Sequence, residues 1–224
     1  MTGETFFVRT PWDARAFGFD TYELTDASPA ALAAVEGVRG HFTARVDPLA
    51  SKALLHRSGF YYCDTLIEPH CSAGSFRDHR HASVSIAPAA GFEQVRAFAD
   101  GAFLNGRFHR DFNVGRRLAD ARYSAWLKEL CDAGKCFGLL HEGDPAGFLC
   151  HEAGSLVLHA LAERYRGRGL AKCIWSAVCR ELFAQGQEEL RSSISASNMP
   201  ALNLYASLGF RFRNPKDIYH RFNP

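Results

Sequence analysis

The feature that most constrains this 224-residue chain lies between residues 155 and 186. The apolar run Ser155 to Ala162 hardly alternates, as expected of a strand covered on both faces. Arg164-Tyr165-Arg166-Gly167-Arg168-Gly169-Leu170-Ala171 follows, and then a stretch with Leu170, Cys173, Ile174, Ala177, Val178 and Leu182 at helical spacing, stopping by Gly186. A buried strand feeding a helix through a glycine-rich turn demands an α/β layer. It also points successive backbone N–H groups into one concavity at the positive end of the helix, which suits a phosphate or pyrophosphate. Three arginines add attraction for polyphosphate. The spacing is neither a dinucleotide fingerprint nor a P-loop. A tight turn with solvated arginines is the plainer reading of the same residues.

The surrounding patterns extend this layer. Ala82 to Ala87 reads as a strand, Phe92 to Phe103 as a helix, and Arg116 to Cys131 as an amphipathic helix with Ala119, Tyr123, Trp126, Leu127 and Leu130 on one stripe. Cys136 to His141 and Ala146 to His151 read as strands, the first ending in the hairpin signal Glu142-Gly143-Asp144-Pro145. Leu190 to Ala196 is another strand. Asn198 caps a short helix with Pro200 in its first turn, ending before Gly209, and Phe210 to Phe222 supplies one or two final strands.

Residues 1–68 form a smaller α/β part. Phe17 to Leu24 reads as a strand, Ser28-Pro29 opens an alanine-rich helix, and His41 to Val46 is a second strand. Pro48 to Ser58 reads as a helix closed at Gly59, and Phe60 to Ile67 as a strand. Residues 69–81 serve as a polar linker, and 82–224 form the main domain.

Composition narrows the function classes. The 47% hydrophobic content and formal charge of +2 exclude disorder and offer no pronounced basic face for nucleic acid. No apolar run reaches the ~18–20 residues that span a bilayer, and the start lacks a basic leader or apolar signal core. A soluble, cytoplasmic protein is expected. Seven cysteines without a C-x-x-C spacing argue against disulfides or structural zinc. A metal site from His70, Cys71, His79 and His81 competes poorly with a solvated loop, so no metal is expected.

With the Arg164, Gly167 and Gly169 turn in view, the chain resembles the GNAT superfamily of acyl-CoA-dependent N-acetyltransferases. Those residues fill the family pattern Q/R-x-x-G-x-G/A. A second family pattern is met by Asn198-Met199-Pro200-Ala201-Leu202-Asn203-Leu204-Tyr205-Ala206-Ser207-Leu208-Gly209-Phe210. The resemblance implies a mixed GNAT-type sheet flanked by helices, with acetyl-CoA as co-substrate. It implies that Arg164 and the backbone of Arg166, Gly167, Arg168, Gly169, Leu170 and Ala171 hold the CoA pyrophosphate. The strand end near Leu161 would pair with the pantetheine arm, Asn198 would contact it, and Tyr205 would protonate the departing thiolate. Phenol chemistry allows that last role, although Tyr205 also falls on an inner helix stripe with Ala201 and Leu208.

No general base is named. Glu163 is close to the turn, His159 in mid-strand reads as a core histidine, and His141, Glu142, His151 and Glu152 sit around hairpins; a water chain would also serve. Acceptor selectivity points to Arg107-Phe108-His109-Arg110-Asp111, whose Arg107, His109 and Asp111 suit phosphate or sugar hydroxyls. With Trp12-Asp13-Ala14-Arg15-Ala16-Phe17-Gly18 and Tyr123-Ser124-Ala125-Trp126, these look like the nucleotide-sugar branch, similar to TDP-fucosamine acetyltransferases. The implied acceptor is a nucleotide-linked amino-dideoxy sugar, and the resemblance leaves room for a homodimer. Another amine (aminoglycoside, polyamine or peptide N-terminus) or a non-catalytic CoA-binding module are the rival readings.

Finally, residues 53–61 echo residues 203–211: both read helix, glycine cap, phenylalanine, strand. With His56 or Arg57 near the tyrosine's place and no glycine turn ahead, the N-terminal part reads as a GNAT-like half domain that does not bind CoA.

Overall fold

The computed structural model describes residues 5–224. Its chain divides into two compact units, neither continuous in sequence. The first holds Met1–Leu66, Leu104–Arg122 and Pro215–Pro224, and the second Ile67–Phe103 and Tyr123–Asn214.

The first unit opens with β1 (Phe7–Arg9), α1 (Pro11–Phe17), β2 (Thr21–Leu24), α2 (Pro29–Ala34), β3 (Gly40–Val46) and α3 (Ala53–Arg57). Strand β2 pairs antiparallel with β1 and parallel with β3. The C-terminal strand β11 (Arg211–Asn223) adds antiparallel to β3, with His220 opposite Thr43. Phe17 closes a helix and does not begin a strand. Pro11 in the first turn and left-handed Gly18, at φ +79°, frame α1, so β2 starts only at Thr21. Ser28 caps α2 as expected, accepting from the Ala31 amide. Tyr22, Leu32, Phe42 and Leu55 form one buried cluster, and Phe17, Phe108, Val114 and Ala119 another.

Strand β4 (Tyr61–Ser72) carries the chain into the second unit. It runs five residues beyond the expected end at Ile67, so the polar stretch read as a linker begins as strand. Alternation of buried Cys71 with half-buried His70 fits a sheet position there. The second unit continues with β5 (Val84–Pro88), α4 (Phe92–Ala99), α5 (Arg116–Asp132, which starts in the first unit), β6 (Cys136–His141), β7 (Asp144–Glu152) and β8 (Ser155–Leu161). It ends with α6 (Leu170–Ala184), β9 (Glu189–Ser192), β10 (Ile194–Ser195), α7 (Met199–Ser207) and the start of β11.

The strand order is β4-β9-β8-β7-β6-β5, antiparallel apart from the β8–β9 pair. Sequence order and element types match the expected mixed α/β sheet with helices. Both hairpins close through two residues in the left-handed region, Glu142-Gly143 and Ala153-Gly154, as the twist of flanking strands favours. All seven cysteines are free, and six are buried.

The two echoing helix ends share their hydrogen bonds. Gly59 and Gly209 are both left-handed, and Phe60 N–H donates to Leu55 O as Phe210 N–H donates to Tyr205 O. That register sets Leu55 at the place of Tyr205, so neither His56 nor Arg57 stands there. Gly209 has a further duty. A Cβ on it would lie 2.2 Å from the Ser75 carbonyl oxygen, because residues 75–77 cross the α7 end with Arg77 N–H donating to Leu208 O.

Candidate active site

The β8–β9 pairing is short. Ser155 and Leu156 face Arg191 and Ser192, and no further rung joins the two strands. Beyond that point β8 stays paired on its other side, through Leu158–Cys150 to Leu161–Gly147, while β10 turns to β4. The sheet therefore opens on one side of β8 over residues 157–161.

The turn that follows β8 stands at this opening. Tyr165 is buried and anchors it, with the Arg164 guanidinium 4.8 Å over its ring and donating to Pro145 O. Arg166 to Gly169 are exposed. Gly167 and Gly169 have φ of +69° and +73°, a region that costs other residues about 1–2 kcal/mol. A Cβ at either would meet nothing within 4 Å, so the turn borders open space. Gly169 makes no side-chain cap for α6, so the amides of that helix's first turn lie outside its i→i−4 ladder. Unmet N–H groups at the start of a 15-residue helix fit a diphosphate. Leu161 lies at the strand end, and its carbonyl accepts from Arg166 Nε at 2.7 Å.

Tyr205 is fully buried on α7, and its hydroxyl lies 3.2 Å from His159 Nε2. Burial raises its pKa, against smaller lowering by Ser192 and Trp175. Burial also pulls His159 down to about 4, leaving the imidazole neutral near pH 7. Sequence spacing gave no sign of this pair, since 46 residues separate them. Asn198 caps α7 by accepting from the Ala201 amide at 3.3 Å. Glu142, Glu152 and Glu163 are exposed, while His141 and His151 rest on Tyr165 and Phe137.

The residues expected to face the acceptor lie in the first unit, and their surroundings differ. Asp111 is fully enclosed. Its Oδ2 accepts from His41 Nε2 and His220 Nδ1, each at 2.7 Å, and its Oδ1 from Tyr61 Oη and the Asn113 amide, each at 2.8 Å. These bonds hold its carboxyl far below the usual range, against the opposing effect of burial, while burial pulls His220 down to about 3. Asp111 is thus a structural tie with no oxygen left for a sugar. His109 Nε2 is bonded to Asp120 at 2.8 Å. Arg107 lies 4.6 Å over the Phe108 ring, its Nη1 is buried without a partner, and burial brings its pKa to about 10, Arg45 adding to the effect.

The conceivable metal residues disperse: His70 meets Glu189, His79 meets the Ser207 carbonyl, His81 meets Ser83, and Cys71 is buried. Among the described residues the convergent set of ligand-type side chains is instead His41, Asp111 and His220.

Residues 105–210 match the acetyltransferase (GNAT) family. A GCN5-related N-acetyltransferase from Sphaerobacter thermophilus shares the fold at TM-score 0.58 and 14% identity, over 82% of this chain and 60% of its own. A conserved protein of unknown function from Staphylococcus epidermidis aligns at TM-score 0.66 and 11% identity, over 100% and 94%. A tandem GNAT protein from the clavulanic acid biosynthesis pathway aligns at TM-score 0.54 and 13% identity, over 91% and 76%. Identities this low show the fold alone. No curated protein matches the chain. The family match over residues 105–210 and the shared fold agree on a GNAT-type architecture. No helix among the described residues is long and apolar enough to cross a membrane.

Proposed function

We propose that the chain transfers the acetyl group of acetyl-CoA to the amine of a small acceptor, and that the acceptor is a nucleotide-linked amino-dideoxy sugar. The observation that carries the acyl-transfer reading is the open, left-handed turn at Gly167 and Gly169 ahead of the uncapped start of α6, next to the open side of β8. In this reading the turn from Arg164 to Ala171 grips the diphosphate, Leu161 and Asn198 guide the pantetheine arm, and Tyr205 protonates the leaving thiolate. The amino-sugar reading is supported by Arg107-Phe108, Tyr123-x-x-Trp126 and the Trp12 to Gly18 segment. Arg107, whose Nη1 is buried without a hydrogen-bond partner, is the cation offered to an acceptor phosphate.

The N-terminal part is proposed as a GNAT-like half that lost its catalytic tyrosine. The shared Gly59 and Gly209 caps support it, as does Leu55 at the tyrosine's register, and one structural neighbour is itself a tandem GNAT protein.

The test measures CoA released from acetyl-CoA with TDP-linked 3- and 4-amino-dideoxyhexoses, aminoglycosides, polyamines and peptides. Turnover is expected to be fastest with the amino sugars. Tyr205→Phe is expected to lose about 10²-fold in turnover while keeping CoA affinity. No CoA release with any amine contradicts the enzymatic reading, and preference for another amine contradicts the acceptor.

A further inference from the structure

Tyr205 has no exposed surface, and a buried phenol can aim its proton only if something fixes its rotation. Its oxygen lies 3.2 Å from His159 Nε2, with the Ser192 and Trp175 side chains also close to it. His159 is itself held in place: it stands in mid-β8 opposite Leu149, on the stretch where β8 has parted from β9, and the Trp175 ring meets it edge-on at 5.1 Å. Trp175 Nε1 is buried there and lies close enough to the phenol to lower its pKa. Ser192 Oγ, also near the phenol, donates to Leu156 O.

We propose that His159 is a positioning residue for acyl transfer, its Nε2–H donating to Tyr205 Oη so that the phenol's own proton points toward the departing sulfur. The proposal rests on Tyr205 being the acid. Neutral imidazole has one N–H, and burial keeps His159 neutral. If Nε2 were bare it would accept the phenol proton and turn it away from the reaction. With Nε2 protonated, the phenol oxygen receives a hydrogen bond that strengthens as its proton leaves. Trp175 Nε1–H is a second donor near the negative charge that builds there. The balance closes without another reactant. The acceptor nitrogen forms the new C–N bond, the C–S bond breaks, and the proton on Tyr205 Oη passes to sulfur. The proton shed by the nitrogen restores the phenol, and Nε2–H stays on His159 throughout.

His159→Leu and His159→Gln separate this role from packing. The Leu variant is expected to lose about tenfold in kcat, the worth of one hydrogen bond, with KM for acetyl-CoA unchanged. The Gln variant, whose amide still donates, is expected to keep most of the wild-type rate. Adding His159→Leu to Tyr205→Phe is expected to cost nothing more. A Leu variant with wild-type kcat overturns the proposal, as does a Gln variant as slow as Leu or an undiminished loss in the Phe background. Imidazole 15N NMR of the unaltered protein tests the same point without a substitution: a protonated Nε2 is expected, and a bare one overturns it. If Tyr205→Phe itself turns over normally, the acid assignment falls as well, a result distinct from failure of the His159 variants alone.

Discussion

Replacing Gly167 by asparagine and by aspartate isolates the charge at the diphosphate turn. Both side chains tolerate the left-handed region better than most, so the φ of +69° costs each about the same. Neither clashes in the ligand-free turn, since a Cβ there has nothing within 4 Å. What differs is one negative charge next to two on the diphosphate. At ~4 Å each like-charge pair costs about 1 kcal/mol in water and about 4 kcal/mol at an effective dielectric of 20. Gly167 is exposed, so the watery limit applies. Two pairs then give about 2 kcal/mol, or roughly 30-fold weaker CoA binding for Asp than for Asn. Isothermal titration with CoA reads the difference, and urea melts of both variants show that the fold is equally stable. The gap is expected to narrow with added salt. Equal CoA affinity of the Asp and Asn variants, with both folded, refutes a diphosphate at this turn.

Two further outcomes concern stability. Gly209→Ala places a methyl 2.2 Å from the Ser75 carbonyl at a φ of +87°. It is expected to lower the urea midpoint by the equivalent of about 3 kcal/mol or more, whereas an unchanged midpoint contradicts the close crossing at residues 75–77. The second outcome concerns acid. His159 and His220 are pulled to about 4 and about 3 by burial, against about 6.5 in an unfolded chain. Between those values the unfolded state binds more protons, so both contributions are full above about pH 6.5 and fade as pH falls toward 4 and 3. The urea midpoint is expected to drop steadily from pH 7 to 5, and a flat profile contradicts neutral buried imidazoles.

Much of the second unit was legible because its punctuation is local. Gly167, Gly169 and Gly209 occupy left-handed turns, Asn198 caps α7, and each hairpin closes on two residues of turn chemistry. The first unit hid more. Phe17 reads as strand because its aromatic neighbours outweigh Pro11 and Gly18, the residues that frame a seven-residue helix of about two turns. β4 outran its expected end because polar Glu68 and His70 find partners in Arg213 and Glu189, which a window along the chain cannot see. Asp111 looked like a ligand-facing carboxylate for the same reason. Its partners His41 and His220 are 70 and 109 residues away. The Tyr205 half of the candidate site could be read from its motif, while His159 needed the packing of β8 against α7.

The two-rung β8–β9 ladder leaves residues 157–161 as a bare edge in the interior of a sheet. An edge of that kind normally recruits another chain. A slim, amide-bearing guest could complete it without bringing side chains of its own. Under the proposed function the reactant is then a temporary strand, and each catalytic cycle briefly removes part of the sheet's own scaffolding. Loading with CoA should therefore protect the 157–161 amides from hydrogen exchange even though no side chain there needs to move.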